Sequence, residues 1–177
     1  MIIWLTGLSG AGKSTIAAGL AKKLIQDGIR PLVIDGDLLR ENLSRDLGYS
    51  HHDRMENIRR AASIALLADK SGITSICALI SPLARERAAA REIAASQDIK
   101  FLEVFVSTPI HECESRDPKG LYKRARNGEI PNFTGIDSPY EMPSSPDLTI
   151  VTHESTIHES VDEVYRAVIQ ANPRSKP

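Results

Sequence analysis

The sequence predicts an α/β fold, a three-layer sandwich built on a mostly parallel five-stranded sheet. Three observations carry that reading. Apolar, β-rich runs alternate with helix-period segments along nearly the whole chain, the order that builds βαβ units. Within each run the apolar residues are consecutive rather than alternating, which suits strands buried on both faces. A glycine-rich turn from Gly7 to Gly12 joins the first run to the first helical segment, at the strand end where such folds bind ligands.

Taken in order, Ile2 to Thr6 is the first strand, stopped by Gly7. Ile16, Leu20 and Leu24 recur at helical spacing until Asp27-Gly28 interrupts the pattern. Pro31 to Ile34 is the second strand and runs into Asp35-Gly36-Asp37. After a polar stretch around Gly48-Tyr49-Ser50, Asp53 as N-cap opens a long helix that reaches about Lys70. Ile73 to Ile80 reads as the third strand, Leu83 to Ser96 as an alanine-rich helix, and Phe101 to Val106 as the fourth strand. Pro109, suited to a first helical position, opens a helix carrying Cys113. Residues 117–146 change texture, basic at first and then rich in Pro, Gly, Ser and Asn. Leu148 to Val151 is the fifth strand and Val161 to Ile169 the closing helix. With no internal repeat and no linker, the expectation is one domain over 1–177 with a lid at about 117–146.

Composition narrows the function classes. An apolar fraction of 41% and a charged fraction of 25% are ordinary globular values. The formal charge of −1 argues against coating nucleic acid or an anionic membrane. That neutral total is uneven, however. Arg116 to Arg126 holds five basic residues and one acid, whereas Asp137 to Glu163 holds seven acids and no Lys or Arg. A basic lid entrance suits small polyanionic ligands. Cys77 and Cys113 fit neither a disulfide framework nor a metal motif, and Cys77 reads as a small core hydrophobe. The N-terminus lacks the features of a signal peptide, and no apolar stretch approaches the ~20 residues of a membrane span. A cytoplasmic protein is expected.

Gly7-Leu8-Ser9-Gly10-Ala11-Gly12-Lys13-Ser14 fits G-x-x-x-x-G-K-[ST] in full, between a strand and a helix. Glycines let the backbone wrap so that successive N–H groups face phosphate oxygens, and the helix N-terminus adds partial positive charge. Gly7, Ser9, Gly10, Ala11, Gly12, Lys13, Ser14 and Thr15 are therefore the expected contacts of ATP, with Lys13 on the β- and γ-phosphates and Ser14 a ligand to Mg²⁺. The Asn-Lys-x-Asp base reader of GTPases is absent. Small size and a basic lid favour a small-molecule kinase over a motor ATPase.

Candidate acceptor residues lie at the other strand ends. Asp35 and Asp37 flank Gly36, and two carboxylates near a polyphosphate divide into a holder of the metal's water shell and an orienting base. Which does which stays open, and a turn with Asp as a local cap is the alternative. Arg40 stands one helical turn from Asp37, and Arg54 and Asn57 stand three apart at the start of the long helix. An Arg for an anionic group and an Asn for a base edge suit a nucleotide acceptor, although a solvated helix start has the same spacing. Tyr49 and Phe133, aromatics in polar loops, suit purine stacking or simple packing.

These motifs resemble the adenylylsulfate kinase (APS kinase) family over nearly the whole chain. The resemblance rests on the phosphate loop, Asp35-Gly36-Asp37, Asp53-Arg54-x-Glu56-Asn57-Ile58-Arg59-Arg60 and Ile80-Ser81-Pro82. Most specific are Asp117-Pro118-Lys119-Gly120-Leu121-Tyr122 and Phe133-Thr134-Gly135-Ile136-Asp137. It implies transfer of the ATP γ-phosphoryl group to the ribose 3′-hydroxyl of adenosine 5′-phosphosulfate (APS), giving 3′-phosphoadenosine 5′-phosphosulfate (PAPS) and ADP. By the same resemblance Tyr49 and Phe133 sandwich the adenine, while Arg40, Arg54 and Asn57 hold the phosphosulfate and sugar. Asp37, Ile80, Ser81, Lys119, Leu121 and Asn132 complete the acceptor site. Ser81 matches a serine described in some relatives as a phosphoserine intermediate; with no base beside it in sequence, substrate hydrogen bonding is the expected role. The family also implies a homodimer. Leu38 replaces the family's usual Asn after Asp35-Gly36-Asp37, and Tyr49 replaces a Phe. A kinase for a related modified nucleotide, or an ATP-sensing regulatory subunit, are the rival readings.

Overall fold

The computed structural model describes residues 1–171. Five strands form one sheet: β1 (Ile2–Thr6), β2 (Pro31–Asp35), β3 (Thr74–Ala78), β4 (Phe101–Ser107) and β5 (Leu148–Val151). Their order is β2-β3-β1-β4-β5, and every pairing is parallel. The helices are α1 (Lys13–Gln26), α2 (Gly36–Glu41), α3 (His51–Lys70), α4 (Ala84–Ala95), α5 (Ile110–Arg116), α6 (Leu121–Arg126) and α7 (Ile157–Ala171). The predicted sandwich is therefore present, with a sheet that is wholly parallel.

Side-chain alternation along β1 shows why its run is continuously apolar. Ile3 and Leu5 point into the core shared with Ile16, Leu20 and Leu24 of α1 and Val164 and Val168 of α7. Ile2 and Trp4 point the other way, into the core shared with Ile58, Ala61 and Ala65 of α3 and Ala90 and Ala94 of α4. Each strand residue is buried whichever way it faces, because helices cover both sides. Cys77 is fully buried in the second core, as its apolar run predicts. The alanines of α3 and α4 let these helices lie close to the sheet. On the opposite face Gly19 lets α1 pack closely against α7, since a Cβ there would stand 2.6 Å from Val161 Cγ2.

Several boundaries differ from expectation. The long helix starts at His51, two residues early, and its N-cap is Ser50, whose hydroxyl accepts from the Asp53 amide at 3.1 Å. Asp53 lies one turn inside and turns its carboxylate back to the Gly48 amide at 3.1 Å. Serine takes the cap because its short side chain reaches that amide, while an acid inside the first turn still meets the helix dipole. Pro109 stands one residue before α5 rather than in it. Helices α2 and α6, of six residues each, occupy stretches read as irregular. The closing helix begins at Ile157, a turn early, because Thr156 and Glu159 cap each other: the Glu159 carboxylate accepts the Thr156 amide at 2.8 Å and the Thr156 hydroxyl accepts the Glu159 amide at 3.2 Å.

Candidate active site

The carboxyl ends of β1, β2 and β3 open into a cleft of about 910 Å³, a size typical of small-molecule sites. Residues 9–16 form its floor. Gly7 does not line it; the role of Gly7 is steric, because φ is +154° and a Cβ would stand 2.6 Å from Val106 O. Gly10 and Gly12 also have positive φ, +73° and +109°. Gly12 occupies the N-cap of α1, and no side chain caps that helix or places an acid in its first turn. The first amides of α1 therefore face the cleft, together with a positive dipole end.

Sequence reasoning missed the props of this loop. The Thr108 and Thr152 hydroxyls, which follow β4 and β5, donate to Ala11 O at 3.1 and 3.2 Å. The Tyr122 hydroxyl donates to Ser9 O at 3.0 Å. Lys13, itself buried, folds back on the loop and donates to Gly7 O at 2.9 Å and Leu8 O at 2.7 Å. Burial pulls its pKa down to about 8, against partial compensation from Cys113, Asp37 and Asp35. Also missed was the cleft end formed by Arg116, Thr152, Ser155, Ile157 and Ser160. There Arg116 donates to Thr152 Oγ1 and Thr152 O, both at 3.3 Å. Apart from Arg116, which belongs to the basic run, no sequence signal marked these residues; they converge from α5, the loop after β5 and the start of α7.

The two aspartates differ in their engagements. Asp35 ends β2 and caps α2: its Oδ1 accepts from the Asp37 and Leu38 amides at 2.9 and 3.4 Å, and its Oδ2 accepts from Ser14 Oγ at 2.6 Å. Asp37 sits in the first turn of α2 with its carboxylate free of the backbone, and it forms an ion pair with Lys119 from the far side of the cleft. Leu38 is exposed and does not line the cleft, so the departure there leaves the site's lining unchanged.

The acceptor candidates are brought together in one cleft. Arg40, Tyr49, Arg54, Asn57, Ile80, Ser81, Lys119, Leu121, Asn132 and Phe133 all line the cleft. The Arg40 guanidinium lies over the Tyr49 ring, 4.5 Å from its centroid, and donates to Gly48 O at 2.8 Å. Arg54 donates to Tyr49 O at 3.1 Å, Thr134 Oγ1 at 2.8 Å and Asn132 O, joining the α3 side to the lid. Burial lowers the Arg54 pKa. Asn57 is 5% exposed, and its Oδ1 has no hydrogen-bond partner among the described residues. A buried amide oxygen left so is costly unless a ligand satisfies it. Glu56, Arg59 and Arg60 serve structure instead. Arg60 grips Asp46 at 2.6 Å and Glu56 at 2.9 Å, with Arg59 on the same glutamate at 2.7 Å.

The two specific runs decode as turn chemistry. Asp117 caps α6 by accepting from the Tyr122 and Lys123 amides, both at 3.1 Å, and Gly120 supplies a left-handed φ of +64° before that helix. These anchors leave Lys119 and Leu121 facing the cleft. Asp137 accepts from the Asn132 and Phe133 amides. Phe133 meets Tyr122 edge-on, with centroids 5.0 Å apart. The lid's far end is pinned: the Glu141 amide donates to Pro82 O at 2.8 Å, and the Glu141 carboxylate accepts from the Ala84 amide at 2.7 Å. Of the basic excess at 116–126, Arg116, Lys119 and Arg124 line the cleft, while Arg126 pairs with Glu114 at 2.7 Å.

Ser81 is 2% exposed and holds φ at +38°. That conformation costs a non-glycine residue on the order of 1 kcal/mol and persists only where neighbours enforce it. Its hydroxyl accepts from Trp4 Nε1 at 3.0 Å, and its carbonyl from Arg87 Nη1 at 2.9 Å. No basic side chain hydrogen-bonds its hydroxyl among the described contacts.

Comparison with known proteins fits this geometry. The family described as adenylylsulphate kinase matches residues 1–151. The chain is 49% identical over 163 residues to the adenylyl-sulfate kinase of Clostridium acetobutylicum, covering 92% of this chain and 80% of that protein. Among solved structures it is similar to the Mycobacterium tuberculosis APS kinase CysC in complex with AMPPNP and APS: TM-score 0.92, 48% identity, 94% of this chain and 96% of the other. A hexameric APS kinase from Thiobacillus denitrificans matches at TM-score 0.72 and 30% identity, over 96% of this chain and 28% of that one.

Proposed function

This chain belongs to the adenylylsulfate kinase family, and from that premise and the form of the cleft we propose how its residues divide the work. The protein transfers the γ-phosphoryl group of ATP to the 3′-hydroxyl of APS, giving PAPS and ADP. The observation that carries the residue assignment is a single cleft joining a phosphate loop to Tyr49, Arg54, Asn57 and Phe133.

The amides of residues 9–14 and the α1 terminus hold the ATP phosphates, and Lys13 leaves its loop carbonyls for the β- and γ-phosphates. Ser14 Oγ and Asp35 Oδ2, 2.6 Å apart, are hard oxygen donors. Among the described residues no cluster of three or more His, Cys, Asp or Glu offers a full ligand cage. That set fits Mg²⁺ held mainly by phosphate oxygens and water. When bound, Mg²⁺ would neutralise charge on the transferring phosphate. Asp35, tied to the cap and to Ser14, serves that metal's water shell. Asp37 orients the 3′-hydroxyl and accepts its proton, once Lys119 exchanges the Asp37 carboxylate for substrate oxygens. Tyr49 and Phe133 bracket the adenine, Arg40 and Arg54 bind the phosphosulfate, and Asn57 Oδ1 accepts from the acceptor nucleotide. Ile80, Leu121 and Asn132 complete the wall.

One domain spans the chain; its last residues, 172–177, lie outside the described part. The hinged part of the lid stops short of Tyr140-Glu141, within the expected 117–146, because Glu141 is bonded at Pro82 and Ala84. The protein is a cytoplasmic homodimer that draws on the ATP pool; light scattering at about twice 19.4 kDa checks the assembly. The central experiment incubates the protein with Mg·ATP and APS. PAPS forming in step with ADP is expected, and ADP release indifferent to APS overturns the reading.

A further inference from the structure

Behind the acceptor wall, the segment Ile80–Pro82 is held from four directions. From β1, the Thr6 hydroxyl donates to Ile80 O at 2.7 Å and Trp4 Nε1 to Ser81 Oγ at 3.0 Å. From α4, Arg87 donates to Ser81 O at 2.9 Å, its own charge matched by Glu103 at 3.1 Å. From the phosphate loop, the Gly7 amide approaches Ile80 O at 3.4 Å, and from the lid's end, the Glu141 amide donates to Pro82 O at 2.8 Å. Tyr140 joins the same knot: with the Thr6 proton directed to Ile80 O, the Tyr140 hydroxyl at 2.9 Å is the donor to Thr6 Oγ1.

We propose that Trp4 is a positioning residue for the acceptor, acting through Ser81. A serine hydroxyl has one proton and two acceptor lone pairs. The indole N–H occupies one lone pair and fixes where the oxygen sits, while the positive φ sets the direction of Cβ. Because Trp4 Nε1 is a donor only, the Ser81 proton has no use toward Trp4 and goes to a ligand in the cleft that Ser81 lines. Ser81 thereby serves as a fixed donor to an oxygen of the acceptor, on its ribose or its anionic group. Trp4 is held in turn: it is fully buried and stacks on Phe101 with centroids 5.8 Å apart.

This inference takes APS as the acceptor, and PAPS formation by the wild-type protein tests that premise separately. The test of the inference is a double-mutant cycle with Trp4→Phe, Ser81→Ala and the pair, read as kcat/KM for APS and KM for ATP. Each single change is expected to lower kcat/KM for APS about tenfold, the scale of one lost hydrogen bond. The pair should be no worse than Ser81→Ala alone, because one residue acts through the other. KM for ATP should stay put. Independent losses that multiply, or an equal loss toward ATP, overturn the proposal. A second measurement stands even if Trp4→Phe folds poorly. Trp4 is the chain's single tryptophan, so its fluorescence reports on this contact in the otherwise native protein. With a non-hydrolysable ATP analogue present, APS should change the Trp4 emission of the wild type and not of Ser81→Ala. No change in the wild type, or the same change in both, overturns it.

Discussion

On the proposed assignment, the two sides of the cleft recognise anions by opposite means. On the phosphate side the recognising groups are backbone amides, wrapped by glycines at φ +73° and +109° and propped from behind by Thr108, Thr152 and Tyr122. On the acceptor side they are side chains, Arg40, Arg54, Asn57 and Lys119, delivered by α2, α3 and the lid. Three of these are already engaged within the protein: Lys119 holds Asp37, Arg54 holds Asn132 and Thr134, and Arg40 holds Gly48 O. A backbone site is sensitive to any added Cβ and indifferent to many side chains. A side-chain site loses function one contact at a time, and its internal pairs must exchange for substrate. On that assignment, phosphate activation depends on the first side and acceptor choice on the second, with Asp37 the one acceptor-side group that takes part in the chemistry.

The largest effect should come from Lys13→Ala. It removes the one full positive charge of the phosphate floor, and loss of such a transition-state contact costs about 10²–10³-fold in kcat. Full activity retained in that variant would sink the assignment. Next is Gly7→Ala, which places a Cβ 2.6 Å from Val106 O. Rigid overpacking of this kind costs about 2–3 kcal/mol and lowers Tm by about 4–12 °C in a chain of this length. Calorimetry checks it, and an unchanged Tm would show that the loop yields where the structure has it clamped.

The acceptor side should answer differently. Arg54→Ala and Asn57→Ala should each raise KM for APS about tenfold or more, with kcat much less affected, since hydrogen bonds to charged groups contribute about 1.5–3 kcal/mol. A fall in kcat at unchanged KM would mean that the acceptor side also stabilises the transition state, and the contrast between the two sides would fail.

That contrast also explains what the sequence could reveal. Backbone sites need glycines at fixed offsets between a strand and a helix, so Gly7 to Ser14 announces itself, and continuous apolar runs announce doubly covered strands such as β1. Arg54 and Asn57 carry no such mark, because their spacing equals that of any solvated helix start; their residue types made them candidates, and resemblance across the family gave them a role. Helices α2 and α6 were missed because six residues make under two turns, too few for periodicity to show. The early start of α7 was legible in Thr156-x-x-Glu159, a capping-box pattern. The strained φ of Ser81 and the threonine props were not, since each depends on where distant strands end.

The smallest effect near neutral pH, growing only above pH 8, is a pH dependence confined to the phosphate side. Burial holds the Lys13 pKa near 8, below its ordinary 10.5. The protonated amine is the form that binds phosphate, and it predominates in the free protein below pH 8. Above that, binding must first return a proton, so the Kd of a non-hydrolysable ATP analogue should weaken about tenfold per pH unit. Calorimetry in buffers of different ionisation enthalpy should register uptake of close to one proton at pH 9. The sign for folding is the reverse. Between pH 8 and 10.5 the unfolded chain binds a proton that the ligand-free native state does not, so native stability should rise with pH across that window. The penalty is complete below pH 8 and gone above 10.5, and it is on the order of 3 kcal/mol. Lys13→Met should flatten both profiles. An affinity that stays level to pH 10 in the wild type would mean that the loop carbonyls Gly7 O and Leu8 O keep the amine charged without nucleotide, and that the phosphate side is ready in its charge as well as in its backbone.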